Sequence, residues 1–104
     1  MGLKPLGIRW SDPAERDLDA LLSCIAFENP EAARSLFARV MEAVENAAAF
    51  PERARFIPEL GKTYRELLSV RPFRVIYRIA GKDLGVIGVM RTEPDFEPER
   101  FIDL

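Results

Sequence analysis

Apolar positions in the first half of the chain recur at helical spacing. Ala14, Leu18, Leu21, Leu22 and Ile25 form one stripe, and Ala33, Leu36, Phe37, Val40, Val44 and Ala47 form a second. Asp12-Pro13-Ala14-Glu15 opens the first stripe as a helix start, with Asp12 able to cap, Pro13 suited to the first turn and Glu15 able to complete a capping box. Asn29-Pro30 repeats the start signal after a very short break. Phe50-Pro51 ends the second helix, because a residue before proline is driven out of helical backbone. Two long helices joined so tightly predict an antiparallel hairpin. Ahead of them, residues 8–10 read as a short strand.

Residues 51–63 carry two prolines and a glycine and read as loop. The period then changes to two. Strands are predicted over residues 65–70, 73–80 and 83–90, with Gly81-Lys82 as a two-residue hairpin turn. Pairing about that turn sets Ile79 against Leu84, Tyr77 against Val86, Val75 against Gly88 and Phe73 against Met90 on one face. The other face receives Arg78 with Gly85, Ile76 with Ile87, and Arg74 with Val89, with Arg91 just beyond. The first face should take the helices. The second is then left with an exposed Ile76–Ile87–Val89 strip framed by arginines, a mixed surface that asks for a partner.

Composition narrows the chemistry. With 104 residues and 48% apolar content, the chain predicts one α+β domain spanning residues 1–104. Fifteen basic against 17 acidic residues give a formal charge of −2, which argues against coating nucleic acid by bulk charge and leaves room for a local basic patch. There is no histidine, which removes serine–histidine triads, cysteine–histidine pairs and histidine-ligated metals together. The single cysteine, Cys24, excludes an internal disulfide and a cysteine-built zinc site. No metal or cofactor is expected. Neither a secretory leader nor a membrane-spanning run of roughly 20 apolar residues is visible, and a reducing cytoplasm fits.

Four arginines are the main candidates for binding: Arg65, Arg74, Arg78 and Arg91. Guanidinium groups grip phosphate in a two-pronged geometry and equally suit the carboxylates of an acidic peptide. The plain alternative is a solvated sheet face with local ion pairs. Glu15, Asp17 and Asp19 read as the wet face of the first helix. Tyr77 reads as a core residue, Tyr64 stays unassigned, and Cys24 has no basic neighbour that would make it reactive. Arg53, Arg55 and Lys62 make the connecting loop basic, and a solvated loop is the simpler reading.

Taken in order, several segments resemble a known family. They are Pro13-Ala14-Glu15-Arg16-Asp17-Leu18, Asn29-Pro30 with Ala32-Ala33, Phe50-Pro51-Glu52-Arg53, Arg65-Glu66-Leu67 and Phe73-Arg74-Val75-Ile76-Tyr77-Arg78. The ordered set, running from about Ile8 to Arg91, is similar to the ParE/RelE toxins, ParE-like and of the plasmid-stabilisation type. The resemblance implies a strand, a helix hairpin and an antiparallel sheet. It also implies a type II toxin–antitoxin module, in which an antitoxin segment that is disordered when free wraps the toxin in a hetero-oligomer.

Two activities occur in the family: RelE-like members cut messenger RNA on the ribosome, whereas ParE-like members poison DNA gyrase and are not nucleases. RelE-like nucleases carry basic residues at alternate positions of the first sheet strand, which here are Arg65 and then Leu67. They keep an arginine matching Arg74 and a basic residue matching Arg91. Their tyrosine or histidine beyond the last strand is missing, and the tail offers Phe96 and Phe101. The resemblance therefore implies a gyrase inhibitor, with Arg65, Arg74, Arg78 and Arg91 toward the target and Ile76, Ile87 and Val89 toward the antitoxin. The alternatives are a ribosome-dependent mRNA endonuclease using Arg65, Arg74 and Arg91, and a non-toxic relic that only binds antitoxin.

Overall fold

A computed structural model of the chain describes residues 4–92. The elements in chain order are β1 (Gly7–Trp10), α1 (Asp12–Glu28), α2 (Pro30–Ala49), a short 3-10 turn (Pro58–Leu60), β2 (Tyr64–Leu67), β3 (Phe73–Ala80) and β4 (Asp83–Arg91). The four strands make one sheet in the order β1-β4-β3-β2. β2, β3 and β4 run antiparallel, while β1 joins parallel to β4, so the α+β fold expected from the pattern carries a mixed sheet.

Local chemistry sets the helix ends. Ser11, one residue before the expected Asp12, is the cap of α1, its hydroxyl accepting from the Ala14 amide at 3.1 Å. Both residues can cap, and the extended backbone of Ser11 selects it. Asn29 alone joins the helices. Its amide donates to the Ile25 carbonyl at 2.8 Å, closing α1, while its side chain accepts from the Ala32 amide at 3.1 Å, opening α2. From α2, Leu36, Val40, Ala43, Val44, Ala47 and Ala48 enter the core, whereas Phe37, expected in the same stripe, is half exposed. The main core is the space between this hairpin and the sheet, filled from the sheet side by Phe73, Val75, Tyr77, Leu84, Val86 and Val89.

The β3–β4 turn is where the sequence places it, and Gly81 supplies a φ of 62° that side chains avoid. Ile79 pairs with Leu84, Arg78 with Gly85, and Tyr77 with Val86, as expected. Beyond Tyr77 a β-bulge slips the register. Ile76 faces Gly88, Val75 faces Val89, Arg74 faces Met90 and Phe73 faces Arg91, one position from the simple pairing. The bulge rotates Val89 into the main core and turns Met90 to the opposite face, beside Ile76 and Ile87.

That opposite face is closed. Residues 51–63 fold back over it, and Ile57, Ile76, Ile87 and Met90 form a second buried cluster with Leu60 and Tyr64 packed against it. Ile76 is 0% exposed, Ile87 6% and Val89 2%. The strip expected to lie open for an antitoxin is thus corrected: the loop covers Ile76 and Ile87, and the bulge buries Val89 against the helices.

Candidate binding face and its arginines

The loop holds its place through β2. Phe56 bridges Arg65 in antiparallel fashion, the Ile57 amide donates to the Tyr64 carbonyl at 3.0 Å, and the Glu66 amide donates to the Arg55 carbonyl at 3.1 Å. Arg65 reaches across this junction. Its Nη1 donates to the carbonyls of Ala54 at 2.6 Å and Glu52 at 3.2 Å, and its guanidinium lies 3.9 Å from the centre of the Phe56 ring. A cation over an aromatic face and two carbonyl dipoles make Arg65 a clamp on the loop.

Glu66 is the only charged side chain in the buried set of the described residues, at 3% exposed. Its Oε1 accepts from Arg74 Nη1 and its Oε2 from Arg55 Nε, both at 2.6 Å. Arg74 also donates from Nη2 to the Thr92 carbonyl at 2.9 Å. A carboxylate so deep in the protein is tolerable only when both oxygens are met by cations, which is the arrangement here. The buried triad ties the loop (Arg55), β2 (Glu66), β3 (Arg74) and the end of β4 together.

The four candidate arginines therefore divide. Arg65 and Arg74 spend their guanidinium groups inside the protein. Arg78 and Arg91 are exposed, Arg91 lying 5.2 Å from the centre of the Phe73 ring across the β3–β4 pair. The structure does not gather the four into one patch: Arg78 stands near the Gly81 turn and Arg91 at the far end of the same two strands.

Groups able to move protons are no better placed. Tyr77 is fully buried, and its hydroxyl donates to the Pro51 carbonyl at 2.8 Å. Burial pushes its phenol above the ordinary value of 10.0, with the nearby Arg65 charge opposing. Glu66 is held between two guanidiniums. Among the described residues no group of three or more histidine, cysteine, aspartate or glutamate side chains gathers where a metal could sit.

Two clefts, each of about 230 Å³, flank the end of β2. One lies between α2 and β2, with Ala43, Ala47 and Leu67 in its walls and Phe50 and Arg53 at its lip. The other is lined by Arg55, Glu66, Leu68, Arg71, Arg74 and Thr92.

The family model described as "ParE toxin of type II toxin-antitoxin system, parDE" matches residues 8–96. The chain belongs to the ParE toxin family. A curated relative, the toxin candidate Y4kP of Sinorhizobium fredii (strain NBRC 101917 / NGR234), is 37% identical over 86 residues, covering 82% of this chain and 86% of the relative. Among solved structures, a chain of the chromosomal ParDE system of P. aeruginosa superposes with a TM-score of 0.72 at 24% identity, covering 85% of this chain and 97% of that one. A chain of the RelBE2 toxin–antitoxin complex of Mycobacterium tuberculosis gives 0.62 at 19% identity, covering 85% and 99%. These likenesses establish the ParE/RelE fold, two helices on a four-stranded sheet. No helix among the described residues is long and apolar enough to cross a membrane.

Three residues of this ParE-family toxin carry more than their sequence signal suggests. Glu66 and Arg55 form the buried triad with Arg74. Asp17, expected on the wet face of α1, accepts from the Val89 amide at 3.2 Å and so ties α1 to β4. The signal for Glu66 was its place on an alternating strand with its side chain on the Ile76 face, where a lone carboxylate would need cations. Phe96 and Phe101 of the tail lie outside the described residues.

Proposed function

We propose that this ParE-family toxin inhibits DNA gyrase in the cytoplasm and is neutralised by a cognate antitoxin in a toxin–antitoxin hetero-oligomer. One observation carries the choice of target. Of the residues a RelE-like nuclease would bring to a scissile phosphate, Arg65 and Arg74 are committed to loop carbonyls, the Thr92 carbonyl and the Glu66 carboxylate. Cleavage of RNA needs a group to activate the 2′-hydroxyl and another to protonate the leaving oxygen, each contributing about 10²–10⁴-fold. Arginine stays protonated and serves poorly as the base. Tyr77 is buried with a raised pKa. The arrangement favours a protein that binds its target over one that turns over a substrate. In this reading exposed Arg78 and Arg91 contact the target, and Arg65 and Arg74 hold the surface in shape.

The test pairs a gyrase supercoiling reaction with a ribosome-programmed messenger RNA cleavage reaction on the same purified toxin. Loss of supercoiling with intact messenger RNA is expected, together with filamentous cells and a DNA-damage response when the toxin is expressed without antitoxin. Ribosomal cleavage with gyrase unaffected would replace this reading with the endonuclease. Normal growth with both assays negative would replace it with a relic that only binds antitoxin.

A further inference from the structure

Among the described residues, the cleft on the loop-covered face of the sheet is lined by three arginines and one carboxylate. Both oxygens of that carboxylate, Glu66, are taken by Arg74 Nη1 and Arg55 Nε. Arg55 uses only its Nε in this bond, and its side chain stays 66% exposed. Arg71 lines the cleft from the β2–β3 connection and meets no carboxylate among the described residues. Among the described residues, Arg55 and Arg71 therefore present guanidinium groups to solvent in a concave site whose floor is fixed by a buried ion triad. Two-pronged guanidinium donors in such a site are made for a single oxyanion.

The surroundings say what kind of molecule carries that anion. A cleft of about 230 Å³ seats one acidic group, and the Glu66 charge on its floor opposes a run of phosphates. The protein as a whole carries a formal charge of −2. Glu66 and Leu67 are neighbours on β2 with side chains on opposite faces of the sheet. Glu66 borders both clefts, its carboxylate bonded to Arg74 and Arg55 on the arginine side, while Leu67 lines only the apolar one. An extended polypeptide passing the end of β2 would alternate in the same way, setting an acidic residue in one cleft and an apolar residue in the other. In the apolar cleft, Phe50 is 54% exposed with the Arg53 guanidinium 4.3 Å from its ring centre, a ready platform for an aliphatic or aromatic side chain.

We infer that the cleft lined by Arg55, Arg71 and Arg74 binds a carboxylate side chain of the antitoxin, from a segment that alternates acidic and apolar residues. The inference rests on the proposed toxin–antitoxin pairing and gives it a seat and a chemistry.

The test uses the full-length toxin and the antitoxin that restores growth on co-expression. Binding is measured by calorimetry at low and high salt. Arg71→Glu reverses one exposed charge without touching the triad and should leave thermal unfolding unchanged. It should weaken antitoxin binding about tenfold or more, with the loss shrinking at high salt. Lys82→Glu, at the exposed β3–β4 turn outside the cleft, should bind normally. An acidic-to-arginine change in the antitoxin segment should recover affinity for Arg71→Glu alone. Wild-type affinity of the Arg71→Glu toxin for its antitoxin would overturn the cleft assignment while leaving the pairing intact. Absence of any binding by the wild-type toxin would overturn the pairing itself. Stronger competition for the cleft by a short single-stranded RNA than by the antitoxin segment would assign it to nucleic acid and overturn the inference.

Discussion

The two faces of one sheet are buried by different means. Toward the helices, Val75, Tyr77, Leu84, Val86 and Val89 meet Leu18, Val40 and Val44, and of these only Tyr77 carries a polar side-chain group. On the far face the buried cluster among the described residues is small, Ile57, Ile76, Ile87 and Met90, under an irregular loop. A loop offers few apolar contacts and many backbone polar groups, so it cannot be held by packing alone. Charged clamps make up the difference: Arg65 on the Glu52 and Ala54 carbonyls, and the Arg55–Glu66–Arg74 triad. The lesson is that arginines spaced along a strand can be the fastening of a surface as readily as its reactive groups.

The sharpest way to break this contrast is to remove the carboxylate. Glu66→Ala leaves Arg74 buried without its counter-charge and should cost about 3–5 kcal/mol in urea unfolding. A loss under 1 kcal/mol would mean that the triad is incidental to the fold. Next come paired truncations, one on each face. Leu84→Ala and Ile57→Ala should each cost about 2–5 kcal/mol. Hydrogen exchange separates them: Leu84→Ala should lower protection throughout β3 and β4, and Ile57→Ala mainly at the loop and β2 amides. Equal, global loss in both variants would show that the two faces fold as one unit. Arg65→Gln removes donors from a partly exposed clamp and should cost about 1 kcal/mol, with faster proteolysis between residues 51 and 63 as the more sensitive readout. Unchanged cleavage there would remove Arg65 from the fastening.

The smallest effect is a pH dependence. Burial raises the Tyr77 pKa above 10.0, so the folded state holds the phenolic proton more tightly than the unfolded chain. Well below pH 10.0 the phenol is protonated in both states and contributes no slope. Above it the unfolded chain ionises first, and stability falls as pH rises toward the folded-state pKa. Tyr77→Phe should flatten that alkaline decline in thermal unfolding curves. An identical decline in the variant would assign it to other groups.

Much of the helix-facing half was legible in the sequence. The two stripes, the Asn29 junction and the Gly81 turn each rest on local signals, spacing or a backbone preference, that work without the rest of the chain. The far face was not legible, for physical reasons. When both faces of a strand are buried, alternation loses its power to fix register. From Val86 to Met90 the chain reads Val, Ile, Gly, Val, Met, and nothing in that run marks the extra residue of a bulge. The cover over Ile76 and Ile87 comes from a loop with two prolines, which has no period to read. Without that cover the sequence leaves Arg65 and Arg74 open, because their partners are backbone carbonyls and a glutamate whose burial depends on the loop itself. The ParE likeness compensated at the level of family and fold. It could not assign roles to single arginines.

The short β1 has a consequence for how copies of the protein treat one another. β1 pairs with the stretch of β4 from Asp83 to Val86, so among the described residues β4 runs on to Arg91 without a neighbouring strand on that side. An uncovered strand edge is a template for adding strands, and in a crowded cell it invites chain-to-chain stacking. Asp17 occupies this edge, accepting the Val89 amide from the side. A strand arriving from another molecule would have to displace a carboxylate and bring its own carbonyl up to the negative charge. One acidic residue on the first helix thus stands where an incoming strand would have to pair, at a position that looks like ordinary wet helix surface.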